Sequence, residues 1–431
     1  MVTIRTNGAN TPAIQTPAQT NKAAMAMVTT LFFMWGFLTV LNDILIPHLK
    51  SIFDLNYAEV MLVQFAFFAS YAIFAFPSGK LIDMVGYKRA MVAGLFTMGA
   101  GALLFIPAAT AALFPLFLTA LIVLAAGMTI LQVSANPYVA VLGPEKTASS
   151  RLNLAQAFNS LGTAIGPKIG GMLILGSAPL AVGVIAGMTE VQRHAYRVEQ
   201  ASTVKLPYLV FAGILIALGI AMAAFKLPDV PAAHKTDASG SHGSVWRYRH
   251  LVLGAIGIFV YVGAEVSIGS FLVNYLSQSY IGNLSLISAA GYVSFYWGGA
   301  MVGRFVGSAL LQKIRPGTLL GINAIVACAL VCVSMIAFGH LAMWSIILVG
   351  LFNSIMFPTI FTLSIEGLGP LTGDGSGILV AAIVGGAIIP ELQGVIADRI
   401  GIHHAFFLPA LCYIYIAYFA FRGSRHTTLP A

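Results

Sequence analysis

Apolar residues fill this chain in long uninterrupted blocks, and short clusters of Gly, Pro and charged residues separate them. Twelve blocks stand out, at 24–48, 58–82, 89–108, 113–139, 148–172, 205–226, 250–277, 285–312, 317–338, 341–366, 374–396 and 403–422. A helix that spans a bilayer needs about 20 predominantly apolar residues, so each block predicts one crossing. The longest internal polar break, Pro228 to Arg249, divides the blocks six and six. The pattern therefore predicts an all-α membrane protein of twelve transmembrane helices arranged as two six-helix repeats. The expected organisation is a disordered cytosolic tail (1–23), an N-terminal bundle (24–227), a cytosolic linker (228–249), a C-terminal bundle (250–422) and a short cytosolic tail (423–431).

Weak self-similarity supports the division. Gly162, Pro167 and Gly171 return as Gly385, Pro390 and Gly394, each 223 positions on, and Leu142-Gly143-Pro144 returns as Leu368-Gly369-Pro370. Gly79 has a counterpart in Gly303, beside Arg304. Shifts that agree across the chain suggest parallel repeats with a substrate site between them.

Composition sharpens this picture. Hydrophobic residues make up 58% of the chain and charged residues 8%, against about 45–50% and about 25% in a soluble domain, which excludes a water-soluble globule. The formal charge of +8 is accounted for by loops facing anionic lipid, without nucleic acid as a partner. With a cytosolic N-terminus, 16 of the 22 Lys and Arg residues fall on the inner side. This bias predicts that both termini lie inside. Cys328, Cys332 and Cys412 sit within apolar blocks, with no disulfide framework or zinc-type spacing.

After the second block the chain reads Pro77-Ser78-Gly79-Lys80-Leu81-Ile82-Asp83-Met84-Val85-Gly86-Tyr87-Lys88-Arg89. This resembles the loop signature of the major facilitator superfamily. Gly79 and Gly86 would allow close helix approach, and Asp83 would pair with a base or a helix N-terminus to lock one conformation, with Lys88 and Arg89 as the basic cluster. An ordinary positively charged turn is the plainer reading. Three further blocks are more specific: Leu41-Asn42-Asp43-Ile44-Leu45-Ile46-Pro47, Ala135-Asn136-Pro137-Tyr138 with Leu142-Gly143-Pro144-Glu145, and Arg151-Leu152-Asn153-Leu154-Ala155-Gln156-Ala157-Phe158-Asn159-Ser160. Together they resemble the fucose, glucose/galactose and N-acetylglucosamine permease family within that superfamily. The resemblance implies uptake of a small sugar coupled to a proton or sodium gradient across the bacterial inner membrane, by a monomer and with no cofactor beyond the coupling ion.

Asp43 lies inside the first span with no base within a helical turn. A carboxylate in hydrocarbon must bind a proton or a cation partner, unless it sits near a water-filled membrane end. The family places its coupling acid in this block, which marks Asp43 as that residue and Asn42 as its polar neighbour. The fucose branch carries a second acid where this chain has Gln132, which keeps the hydrogen-bonding groups but cannot titrate near neutral pH. That departure weakens fucose as substrate. Gln132 and Asn136 share one helix face, as do Gln156 and Asn159. Such faces suit sugar hydroxyls, or else serve as polar glue between helices.

Glu265 is mid-span, 222 positions after Asp43, and is a second candidate for cation coupling as part of a sodium site, or a sugar acceptor, with structural pairing to a neighbouring polar group as the plainer reading. Asn274, farther along the same span, is a substrate-site candidate too, and Trp297 and Asn353 are weaker ones. Lys168 and Glu391 follow the Pro of the repeated Gly-Pro-Gly pattern at corresponding places near the outer membrane end, where their opposite charges would help close the outer gate together or else each snorkel separately to water or headgroups; Arg304 follows the repeated Gly and is a further candidate gating residue. A fucose permease, an exporter of another small polar solute and a transporter-like sensor are the rival readings. An intramembrane enzyme would need a nucleophile or metal set, and the sequence shows no HExxH or clustered His.

Overall fold

A computed structural model of the chain describes residues 19–53, 57–174, 187–228 and 244–425. The apolar blocks become helices because a backbone in hydrocarbon must satisfy its own polar groups. In the first half these are α1 (Lys22–Phe53), α2 (Tyr57–Ala111), α3 (Phe114–Val141), α4 (Ala148–Ile174), α5 (Glu190–Ser202) and α6 (Lys205–Ala224). The second half has α7 (Arg249–Leu276), α8 (Leu286–Leu310), α9 (Pro316–Ile336), α10 (Gly339–Asn353), α11 (Met356–Ile365), α12 (Thr372–Ala381), α13 (Gly385–Ile400), α14 (Ile402–Ala405) and α15 (Phe407–Tyr418).

These elements make twelve crossings among the described residues. α2 supplies two of them, because Gly86, at φ 80° and ψ 166°, breaks the helix into two arms. A side chain there would be strained in the left-handed region. The pairs α10–α11, α12–α13 and α14–α15 each form one crossing with a joint. The predicted spans match these crossings to within a few residues. The putty between them is glycine: a Cβ on Gly127 would lie 2.5 Å from the Met98 backbone nitrogen, and one on Gly101 would lie 2.5 Å from that of Leu124. The second arm of α2 and α3 therefore pack backbone to backbone.

The start of α1, the break in α2 and the C-termini of α3 and α6 share one end of the molecule. Asn21 donates its N–H to Leu142 O at 3.3 Å, and Lys88 Nζ donates to Ala223 O at 2.8 Å, at the C-terminus of α6. We call this the terminal end and the other the distal end. Arg151, which the sequence offers as a positive charge at a helix start and as the first residue of a family-like block, is 6% exposed here. It donates to Val139 O (3.1 Å), Pro144 O (2.8 Å), Gly143 O (3.1 Å), Thr147 Oγ1 (2.6 Å) and Ala140 O. One guanidinium thus satisfies the carbonyls that the end of α3 leaves unpaired. Arg151→Met should orphan them together and lower stability by about 3 kcal/mol, measured as a reduced melting temperature of the detergent-solubilised protein.

α5 is an addition to the predicted crossings. Its sequence is polar on one face, and Thr189 and Gln192 form a capping box at its start. It buries Tyr196, Gln200 and Ala201. The predicted tails fall mostly outside the described residues, as does most of the predicted linker.

Candidate functional site

The two halves meet along a seam of small residues. Ser150 Oγ donates to Ser308 O at 2.7 Å, and Ser308 Oγ donates back to Ser150 O at 3.0 Å. Ser149 Oγ and Thr362 Oγ1 share a hydrogen bond of 2.6 Å. Asn153 Nδ2 donates to Arg304 O at 2.7 Å, and Ser376 Oγ donates to Val133 O at 2.7 Å. Around these bonds the backbones touch. A Cβ on Gly79 would lie 2.9 Å from Gly373 O, and one on Gly377 would lie 2.9 Å from Ala75 O. The seam joins α2, α3 and α4 to α8, α11 and α12, so the halves are closed at the terminal end. A cavity of about 640 Å³ at that end is walled by both halves, including Lys146 and Ser149 from one and Lys313, Arg315 and Glu366 from the other.

The predicted gating motif belongs to this seam. Asp83 Oδ1 lies 2.9 Å from the place a Cβ on Gly373 would occupy. Gly373 is in the first turn of α12, where helix N–H groups are unpaired and favour a carboxylate. Lys88 holds the end of α6, while Arg89 is exposed. Glu391 is exposed on α13. The side chain of its predicted partner Lys168 lies outside the described residues, as do those of Asn42 and Asp43, although all three sit on described helices.

Polar side chains line the interior of both halves. Gln132 is 3% exposed and donates from Nε2 to Tyr71 Oη at 2.8 Å, and its buried Oε1 has no partner among the described residues. Asn136 is fully buried with neither amide atom bonded among the described residues. Gln156 is buried, and Asn159 Nδ2 donates to Phe32 O at 3.0 Å, tying α4 to α1. Unsatisfied buried polar atoms are costly; among the described residues Gln132 Oε1 and both amide atoms of Asn136 on α3 and Asn153 Oδ1 on α4 are such atoms, as are both amide atoms of Gln393 on α13. That is the arrangement a polar ligand or ordered water would complete.

In the second half Asn353 is engaged by tyrosines. Its Nδ2 donates to Tyr296 Oη at 2.9 Å, its Oδ1 accepts from Tyr413 Oη at 2.8 Å, and its carbonyl accepts from Tyr261 Oη at 3.1 Å. In this arrangement it acts as glue between helices. Trp297 is 43% exposed and packs edge-on to Tyr296, and Asn274 is exposed. Glu265 and Arg304, predicted separately, form an ion pair: Arg304 Nη2 lies 3.9 Å from Glu265 Oε1, with side chains 13% and 12% exposed respectively. Arg304 also donates to Ser354 O at 3.2 Å, a carbonyl freed by the break between α10 and α11, and to Ser160 Oγ across the seam.

Residues 25–390 match the family model of the Major Facilitator Superfamily. The chain belongs to the Major Facilitator Superfamily. It is a multi-pass membrane transporter and not an enzyme. It is 53% identical over 412 residues to a glucose/galactose transporter of Brucella abortus, covering 95% of this chain and 97% of that one. It is 36% identical over 414 residues to the L-fucose-proton symporter of Escherichia coli, covering 93% of each. The crystal structure of the superfamily transporter FucP in the outward conformation superposes with a TM-score of 0.87 at 35% identity, covering 94% of this chain and 99% of that one.

Sequence reasoning missed Tyr71, which orients Gln132, and the seam residues Ser149, Ser150, Ser308, Thr362 and Ser376. A small residue in an apolar helix gives no periodicity signal. The only trace was the resemblance block that begins at Arg151, next to two of them.

Proposed function

We propose that the chain imports a hexose, glucose or galactose, together with a proton, by alternating access across the bacterial inner membrane. The 53% identity to the Brucella glucose/galactose transporter over 95% of the chain carries this reading. The geometry supports it: a closed seam at the terminal end and, on α3, Gln132 Oε1 and the Asn136 amide, buried and without a partner among the described residues. Such groups favour a hydroxylated solute over a greasy one, because an apolar ligand would leave them unpaired. In this reading both termini face the cytosol, in line with the Lys and Arg bias, so the closed seam is the cytosolic gate. One chain holds the whole pathway between its halves, which makes the monomer the transporting unit.

Asp43 and Glu265 are the acids that take up the coupling ion. A proton suits Glu265 better than sodium does, since the neighbouring Arg304 guanidinium repels a bound metal cation but not a neutral carboxyl group. Gln132 replaces an acid of the fucose branch, which favours glucose or galactose over fucose.

Gln132→Ala should weaken sugar binding by about 1–3 kcal/mol, because a sugar hydroxyl loses its partner. Tyr71→Phe should weaken it less, since it frees Gln132 Nε2 without removing the amide. The test is equilibrium binding of glucose and galactose to the purified protein. Unchanged affinity in Gln132→Ala, with only a lower yield, would assign that residue to helix packing. Counterflow of a radiolabelled panel containing glucose, galactose, fucose and N-acetylglucosamine identifies the substrate.

A further inference from the structure

The cavity at the terminal end exists only while the halves are together. One wall comes from the end of α3 and the start of α4, the other from the turns between α8 and α9 and between α11 and α12. Ser149 and Thr362 both line it, and they share the hydrogen bond of 2.6 Å across the seam. When the seam parts, the walls separate and the cavity is lost. Its volume of about 640 Å³ falls within the range of small-molecule sites, roughly 300–1,000 Å³. Gln132, Asn136, Gln156 and Asn159 do not line it, so it is a separate space from their polar faces.

Lys146 reaches this space from the first half, Lys313 and Arg315 from the second, beside the carboxylates of Glu145 and Glu366. Among the described residues none of the three basic side chains makes a hydrogen bond or an ion pair. We infer that the cavity is a binding site for a phosphate ester that carries hydroxyl groups, and that its occupant holds the terminal end closed. Three cations facing two carboxylates leave one positive charge in excess, which suits a single anionic group and disfavours a metal ion. Ammonium and guanidinium groups donate short, charge-assisted hydrogen bonds to phosphate oxygens. The two carboxylates accept only, so they match hydroxyl donors on the body of the same molecule. Val141, Leu311 and Leu363 supply apolar wall between the charges.

Cations from both halves tie affinity to conformation. A ligand that needs both walls binds the closed form and not the open one, and so stabilises closure by mass action. A transporter held in one form does not complete its cycle, so occupancy slows transport whatever the solute carried. This goes beyond the sugar and proton reading and does not depend on it. A soluble ester in the water of the terminal side and a phospholipid headgroup share the required chemistry.

The test reads closure directly and measures no transport. Ala75 is fully buried, its carbonyl abuts Gly377 in the seam, and it does not line the cavity. In a chain whose Cys328, Cys332 and Cys412 are replaced by alanine, Ala75→Cys reports opening by its rate of alkylation with N-ethylmaleimide. Two probes separate the sources: glucose-6-phosphate added to the detergent-solubilised protein, and phosphatidylglycerol compared with phosphatidylcholine in nanodiscs. At roughly ten times its dissociation constant the effective probe should slow alkylation about tenfold. Slowing by glucose-6-phosphate in detergent assigns the site to a soluble ester, and slowing confined to phosphatidylglycerol assigns it to a headgroup. Lys146→Gln with Lys313→Gln should abolish the slowing and leave the rate without probe at the parental value. Alkylation unaffected by both probes, or slowed equally in the double variant, would overturn the inference. Should the double variant fail to fold, Arg315→Gln alone should weaken the effective probe by about tenfold, and an unchanged concentration dependence would overturn it.

Discussion

Asp43→Asn is expected to abolish gradient-driven accumulation of sugar while exchange of labelled for unlabelled sugar survives. With one proton per sugar, each unit of pH difference sustains about tenfold accumulation, since one unit is worth 1.36 kcal/mol. The amide mimics the protonated acid in shape and hydrogen bonding but releases no proton, so the internal concentration should stop at the external one. The position is consistent with such a cost. Asp43 lies within the continuous helix α1, and α1 is tied to α4 through Asn159 and Phe32 O, next to the polar face that would hold the sugar. Uptake into vesicles with an imposed pH gradient, beside counterflow without one, separates the two activities. Accumulation at the parental level would remove Asp43 from the coupling step.

The second large effect is steric. Gly79→Val should prevent closure of the terminal end, because even a Cβ at that position would sit 2.9 Å from Gly373 O and a branched side chain needs more room. Backbone cannot yield as a flexible side chain does, and overpacking of this kind costs about 1–3 kcal/mol. The cost falls only on the state in which α2 and α12 touch. The variant should therefore fold, shift towards the open terminal end and bind sugar from the distal side more weakly, by up to about a hundredfold. Gly213→Val is the control, since a Cβ at Gly213 meets nothing within 4 Å. Distal-side binding at parental strength in Gly79→Val would show that this contact does not limit closure.

The fold was legible because hydrocarbon imposes one solution, a run of apolar residues long enough to cross. The twelve blocks carried the crossings, and Gly86 falls where the break in α2 occurs. α5 escaped notice because its thirteen residues are amphipathic, a signal overshadowed by the apolar runs on either side. The candidate site was legible as a set of residues and not as a set of relations. Glu265 and Arg304 were each visible as charges in apolar surroundings, but their pairing depends on how α7 packs beside α8. Asn353 reads as a ligand group in sequence, and only the positions of Tyr296 and Tyr413 show that its amide is already bonded. The seam was least legible: serine and threonine occur throughout membrane helices, and which of them face the other half is decided by packing. Arg151 illustrates the same gap, since a positive charge at a helix start predicts sidedness and says nothing of the carbonyls it binds.

The central claim, that a hexose and a proton cross together, is tested most directly in proteoliposomes that contain the purified protein and a trapped pH indicator. Addition of glucose or galactose to the outside, with no sodium present and the membrane potential clamped, should acidify the interior. The acidification should vanish in Asp43→Asn. Sugar entry without any pH change, or entry that requires a sodium gradient, would contradict the account.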